Sequence, residues 1–177
     1  MTLAHIRALA EEYASTYNPE HVSPFPLKYV LAAHADMRIY YTALDDDLVS
    51  GVTLFKDGET TILINSNKPA TRQHFTLGHE LGHYFLHQDM LRAERGIIDG
   101  DEALDVPNIL YRSDAFGEKK TQPEVEANNF AASLLMPADL VRQAWRATED
   151  VQKCAHIFQV SVVAMSLRLT SLGLIEE

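Results

Sequence analysis

The alternation of apolar and polar positions divides the chain into helical and extended stretches. Leu3, Ile6, Leu9, Ala10 and Tyr13 recur three and four apart, which predicts an amphipathic helix over residues 2–17, ended by Asn18-Pro19. Pro24 and Pro26 open a second, short helix through about His34, and Arg38-Ile39-Tyr40-Tyr41 has the β-branched and aromatic character of a strand. Gly51-Val52-Thr53-Leu54-Phe55-Lys56 and Thr60-Thr61-Ile62-Leu63-Ile64-Asn65 are β-rich runs joined by Asp57-Gly58, a strong short-range hairpin signal. Asn65-Ser66-Asn67, with Pro69 just after, reads as capping residues ahead of a helix from about Pro69 to His87. From Phe75 to Leu86 that helix is apolar nearly all round, apart from Thr76, His79, Glu80 and His83, as expected of a buried helix.

Residues 88–122 lose this order: they are polar and interrupted by Gly96, Gly100, Pro107 and Gly117. A loop of this length is usually functional or mobile, and a lid, a substrate-selecting surface and a simple insertion all fit the pattern. Pro123 starts the next helix, with Thr121 or Gln122 as cap, and Pro137 ends it. Three helices follow, over Ala138–Ala147, Glu149–Phe158 and Ser161–Leu172, the last capped by Ser161. The fold class predicted is α+β, mainly helical, with a small antiparallel sheet (the hairpin at about 50–65) beside the His79–His83 helix. A hairpin leading straight into that helix sets a sheet edge beside it, which could hold an extended peptide by strand addition. Residues 1–177 are expected to form a single domain, with 148–175 as a closing helical pair that resembles a helix-turn-helix at Gln159-Val160-Ser161.

Composition narrows the function. At 177 residues, 46% apolar and 23% charged, the chain has globular proportions and enough length to bury a core. A formal net charge of -10 argues against general affinity for nucleic acid or anionic membrane. Cys154 stands alone, so there is neither a disulfide framework nor a cysteine-based zinc site. Met1 to Ala14 carries Glu11 and Glu12 and lacks the apolar core of a signal peptide, and no apolar run approaches the ~18 residues of a membrane span. The expected location is the cytoplasm, with no membrane partner. A DNA-reading helix needs exposed polar side chains at its start, whereas the last helix offers Val162, Val163, Ala164 and Met165, with Arg168 its sole basic residue. Core packing is the better account of that helix. Asp45-Asp46-Asp47 lacks the spacing of a calcium loop and reads as a solvated turn.

The candidate chemistry lies in His79-Glu80-Leu81-Gly82-His83, an H-E-x-x-H pattern. On a helix, positions i and i+4 share a face, so His79 and His83 can reach one metal ion. Glu80, rotated by about 100°, can address a water on that ion. Three nitrogen and oxygen ligands plus water make a catalytic zinc site. For the third ligand the helix after Pro123 supplies Glu124, on a face shared with Ala127, Asn128, Ala131 and Leu135. The small residues Ala127 and Ala131 permit close approach, and Gly82 offers the matching gap. Glu126, with Asn129, Phe130 and Ser133, lies on a bulkier face and is the rival ligand. Asn128 could fix a histidine tautomer, or serve as a buried packing amide. His87 continues the i+4 series but has turned by roughly 80° from His79, and with His74 it reads as a supporting or surface residue.

Ile62-Leu63-Ile64-Asn65, the run from Arg72 to His83, and Glu124-Val125-Glu126-Ala127-Asn128-Asn129-Phe130-Ala131-Ala132-Ser133-Leu134-Leu135-Met136-Pro137 together resemble the ImmA/IrrE family of metallo-endopeptidases, as does the tail from Phe158 to Ile175. The likeness runs from about residue 50 to 175, in the family's order. It implies a zincin-like core, Glu124 as the third zinc ligand, and a zinc-dependent endopeptidase. The family's partners are helix-turn-helix (Xre-type) repressors, whose cleavage relieves repression of a mobile element or a stress response. With zinc on His79, His83 and Glu124, Glu80 is the expected general base, and Tyr111 or Arg112 could supply a second oxyanion donor. A non-catalytic zinc protein that binds its partner, as in toxin–antitoxin-like or anti-repressor pairs, is the alternative; a DNA-binding regulator fits the charge least. The 41 positions from His83 to Glu124 are a long interval for the family and bear on loop-dependent properties such as substrate choice or autoinhibition.

Overall fold

The first helix, α1 (Leu3–Tyr17), begins where the Thr2 side chain accepts from the His5 amide and stops at Asn18. The computed structural model describes residues 1–45, 49–56, 58–89 and 121–176. Asp46, Asp47, the Asp57 turn position, most of the 88–122 loop, and both Tyr111 and Arg112 lie outside the described residues. After α1 come α2 (Lys28–Ala33) and the strands β1 (Met37–Thr42), β2 (Gly51–Lys56) and β3 (Glu59–Asn65). Then follow α3 (Ala70–Leu86), α4 (Gln122–Leu135), α5 (Ala138–Thr148), α6 (Val151–Phe158) and α7 (Val162–Ser171). The class is α+β. Among the described residues, no helix is long and apolar enough to cross a membrane.

The hairpin expected at 50–65 is present: β2 pairs antiparallel with β3, Thr53 facing Ile62 and Gly51 facing Ile64. The sheet is nevertheless mixed and not purely antiparallel. β1 pairs with β3 in parallel, Ile39 opposite Ile62, giving the order β1-β3-β2. A hairpin turn between β2 and β3 leaves the other side of β3 open, and β1 occupies it. Among the described residues β2 is thus an edge strand of the sheet, and it packs against α3.

Start signals for α3 act differently from the expectation. Pro69 is the cap, with no side-chain hydrogen bond. Asn65 instead is fully buried: its Nδ2 donates to the Val49 carbonyl, and its Oδ1 accepts from the amides of Leu44 and Asn67. An amide side chain with donors and acceptor can tie three loop segments where a cap ties one, and burial demands that all be satisfied.

Two cores result. Ile6, Ala10, Val30, Ile62, Ile64, Leu77, Leu81, Phe130 and Leu134 join α1, the sheet, α3 and α4. Met136, Val141, Phe158, Met165 and Leu169 close the C-terminal helices. Glu11 and Arg168 fasten one to the other. Arg168 donates to Glu11 Oε1 at 2.6 Å and to the Met136 carbonyl at 2.9 Å, and Glu11 also accepts from the Ala138 amide at the start of α5. The expectation that the start of α7 is core is corrected here. Met165, Arg168 and Leu169 are buried, but Val162, Val163 and Leu167 are 46%, 69% and 68% exposed. A ten-residue helix buries one stripe, and α7 carries more apolar residues than that stripe holds. Its one arginine is buried against Glu11, so it presents no cation to a phosphate backbone.

Candidate metal centre

Helix α3 is buried without interruption from Thr76 to Tyr84, and α4 lies against it. Their approach is set by Gly82: a Cβ there would meet Ala127 Cα at 3.0 Å, its carbonyl oxygen at 3.1 Å and its Cβ at 3.2 Å. No residue larger than glycine fits without parting the helices. One turn before Ala127, Glu124 then reaches across α3, with one carboxylate oxygen 3.7 Å from His79 Nε2 and the other 3.4 Å from His83 Nε2.

His79, His83 and Glu124 each offer one ligand atom, all within 4.8 Å of one another. Ligands at about 2.0–2.1 Å around a tetrahedral ion stand roughly 3.3 Å apart, close to the separations from Glu124 to the two histidines. Both Nε2 atoms are buried and have no hydrogen-bond partner among the described residues. Buried polar atoms of this kind are costly unless something binds them. The donor set fits a metal ion.

The opposite ring nitrogens are engaged. His79 Nδ1 stands 2.8 Å from Asn128 Oδ1, so of the two roles open to that amide it takes the contact with a histidine. His83 Nδ1 lies 2.9 Å from His87 Nδ1, and His87 Nε2 lies 3.0 Å from Glu126 Oε2. The rival ligand Glu126 therefore addresses His87, and no carboxylate oxygen of it belongs to the convergent group. Hydrogen bonds from His87 and Gln122 hold its carboxyl below the usual range. His74, away from this centre, meets the Gln159 carbonyl and ties α3 to the C-terminal helices.

Glu80 points to the sheet side, where Thr53 Oγ1 donates to its Oε2 at 2.6 Å. Gly51, two positions before Thr53 on the same face of β2, clears room for it: a Cβ there would meet Thr76 Cγ2 at 2.5 Å and Glu80 Oε1 at 3.3 Å. Neither Thr53 nor Gly51 was singled out from the sequence. Their i, i+2 spacing on the strand next to the H-E-x-x-H helix is the signal that could have found them.

Burial raises the Glu80 carboxyl from 4.5 to about 8, the Thr53 hydrogen bond opposing and the Glu124 charge assisting. Burial, with His87 adjacent, lowers His83 from 6.5 to about 3. In the metal-free protein Glu80 keeps its proton between pH 4.5 and 8 where the unfolded chain has lost it, so its contribution to stability falls as pH rises through that window. His83 lacks a proton between pH 3 and 6.5 where the unfolded chain has one, so its contribution rises with pH there. The two slopes oppose from 4.5 to 6.5, leaving only that of Glu80 above. Chelator-treated protein is expected to lose about 2 kcal/mol between pH 6.5 and 8 in urea unfolding. Glu80→Gln should abolish that alkaline loss; an unchanged slope in the variant would reject the assignment.

Compared with known proteins, residues 32–170 match the family model Peptidase M78, described as an IrrE N-terminal-like domain. No curated protein matches the chain. The matched span begins in α2 and so includes β1, the strand that the residue-50 start of the sequence likeness left out.

Proposed function

Since the chain belongs to the Peptidase M78 family, whose IrrE N-terminal-like model covers residues 32–170, we propose that it is a zinc-dependent endopeptidase that cleaves a specific regulatory protein. The observation that carries this reading is the convergence of two buried histidine nitrogens, without a hydrogen-bond partner among the described residues, with the Glu124 carboxylate, whose charge acts on the Glu80 carboxyl. His79, His83 and Glu124 would hold the ion; nitrogen and carboxylate donors in a three-ligand set favour zinc with a position left for water. Zinc bound there supplies Lewis acidity, activating water and polarising the scissile carbonyl.

The chain's own residues do the rest. Asn128 orients His79 by accepting at Nδ1, which leaves Nε2 free to ligate. Glu80 takes a proton from the attacking water and returns it to the departing amine, a task for a carboxyl whose pKa sits near working pH. Thr53 fixes one of its oxygens and so aims the other. Among the described residues β2 has a strand on one side only, and an extended substrate strand laid along its other side would run past Glu80. A helix-turn-helix (Xre-type) repressor is the proposed substrate, on the strength of the family likeness. The 1–177 chain is read as one working domain, α5 to α7 closing it through Arg168 and Glu11.

The test uses purified zinc-loaded protein and the repressor as substrate. We expect about one zinc per chain by elemental analysis, two repressor fragments by mass spectrometry, and loss of both in His79→Ala. Full zinc occupancy without any cleavage would overturn the endopeptidase and leave a metal-binding partner protein.

A further inference from the structure

His83 stands at one end of a chain of side chains that crosses from α3 to α4. Its Nδ1 faces His87 Nδ1 at 2.9 Å, His87 Nε2 faces Glu126 Oε2 at 3.0 Å, and Gln122 Nε2 donates to Glu126 Oε1 at 2.9 Å. His83 and His87 are buried, so solvent does not compete for these atoms. We propose that His87 and Glu126 are positioning residues: they lock His83 in the tautomer that presents a bare Nε2 to the metal. This deepens the reading above and rests on its metal site.

The proton positions follow from the far end. A carboxylate only accepts, so the nitrogen of His87 that faces Glu126 carries a hydrogen. For His83 to ligate through Nε2 its hydrogen must sit on Nδ1, and His87 meets that hydrogen when its own single proton faces Glu126 and its Nδ1 is bare. Two bare nitrogens 2.9 Å apart would leave both lone pairs unsatisfied, and two N–H groups would collide. One proton therefore lies between the rings, and it belongs to His83 Nδ1. His83 Nε2 is left bare 3.4 Å from a Glu124 oxygen, a pairing of two acceptors that a cation held between them would satisfy. A hydrogen on the wrong nitrogen would block the site, and isolated imidazole carries it on either. Gln122 holds Glu126 from its other oxygen, so the carboxylate cannot swing away to solvent without losing both bonds. His79 is fixed by one neutral amide; His83 is fixed by a carboxylate acting through a ring, an asymmetry that ranks His83 as the more strongly donating ligand.

The test reads the tautomer directly. Long-range nitrogen–proton correlation spectra of the full-length, metal-free protein are expected to show His83 as its Nδ1–H form. In His87→Phe the Nε2–H form should appear, and zinc affinity, measured by competition against a chelator, should fall about 10–100-fold. His87→Gln, whose amide oxygen can still accept from Nδ1–H, should restore most of the affinity, and Glu126→Gln should give an intermediate loss. Should His87→Phe fail to fold, the Gln and Glu126 variants carry the comparison. An unchanged His83 tautomer, or zinc affinity within about twofold of the native protein in all three variants, would overturn the proposal. A protein that binds zinc with these differences yet cleaves nothing would sink the endopeptidase and leave the relay standing.

Discussion

Glu80→Gln is expected to lower repressor cleavage on the order of a thousandfold, within the range that a positioned general base contributes. The substitution is nearly isosteric, and its amide oxygen can still accept from Thr53 Oγ1, now 2.6 Å from Glu80 Oε2. What it removes is the ability to take up a proton. His79, His83 and Glu124 are untouched, so zinc content should stay at its native level and the variant should capture its substrate without cutting it. The discriminating measurement pairs a cleavage rate with a pull-down of uncut repressor under identical conditions. A variant that silences the repressor as well as the native protein does would show that binding, and not hydrolysis, is the activity. Gln also avoids desolvating a carboxylate, so the metal-free variant should be the more stable above pH 7.

Local spacing made the centre of this site legible. His79 and His83 follow from i, i+4 geometry, and the α3–α4 contact follows from pairing Gly82 with small residues on the face of Glu124. Both rules concern one helix surface at a time, where periodicity carries the information. Glu126 shows where that ends. Read along its own helix it is a second acid near the ligand, and its partner, His87, lies 39 positions earlier in the chain at the end of another helix. A contact set by how two helices meet has no signature within either. The same holds for Thr53, legible as a strand residue but not as the group that holds Glu80. β1 is legible as a strand and not as a parallel partner of β3, because strand order is set by a pairing between segments more than twenty positions apart and not by either segment alone. Asn65 misled for a different reason: a residue type that caps helices also satisfies buried loops, and its 0% exposure decides for the second. The apolar start of α7 has the composition of core and yet lies exposed, because hydrophobicity implies burial in one direction only.

Gly82→Val is expected to damage the metal site more than any change outside the ligands. Even a single Cβ at this position lies 3.0–3.2 Å from Ala127, and two of the three atoms met are backbone, which cannot rotate aside. A branched side chain has to push α4 away from α3, and overpacking of this kind costs about 3 kcal/mol, or roughly 6–12 °C in Tm for a chain this size. The displaced helix carries Glu124, so the 3.4 Å and 3.7 Å separations from His83 and His79 would lengthen together. Zinc affinity should fall on the order of tenfold or more, since ligands must be held to about half an ångström. Gly78→Ala separates the two effects. The three atoms nearest its Cβ would all be Leu135 side-chain atoms, at 2.8–3.4 Å, so the clash falls on a side chain and not on the α4 backbone. That variant should lose stability while holding zinc near the native affinity. Chelator competition and thermal melting on both variants decide the matter. If Gly82→Val melts lower but binds zinc as tightly as the native chain, the spacing of α3 and α4 does not set the reach of Glu124, and the third ligand must be sought elsewhere.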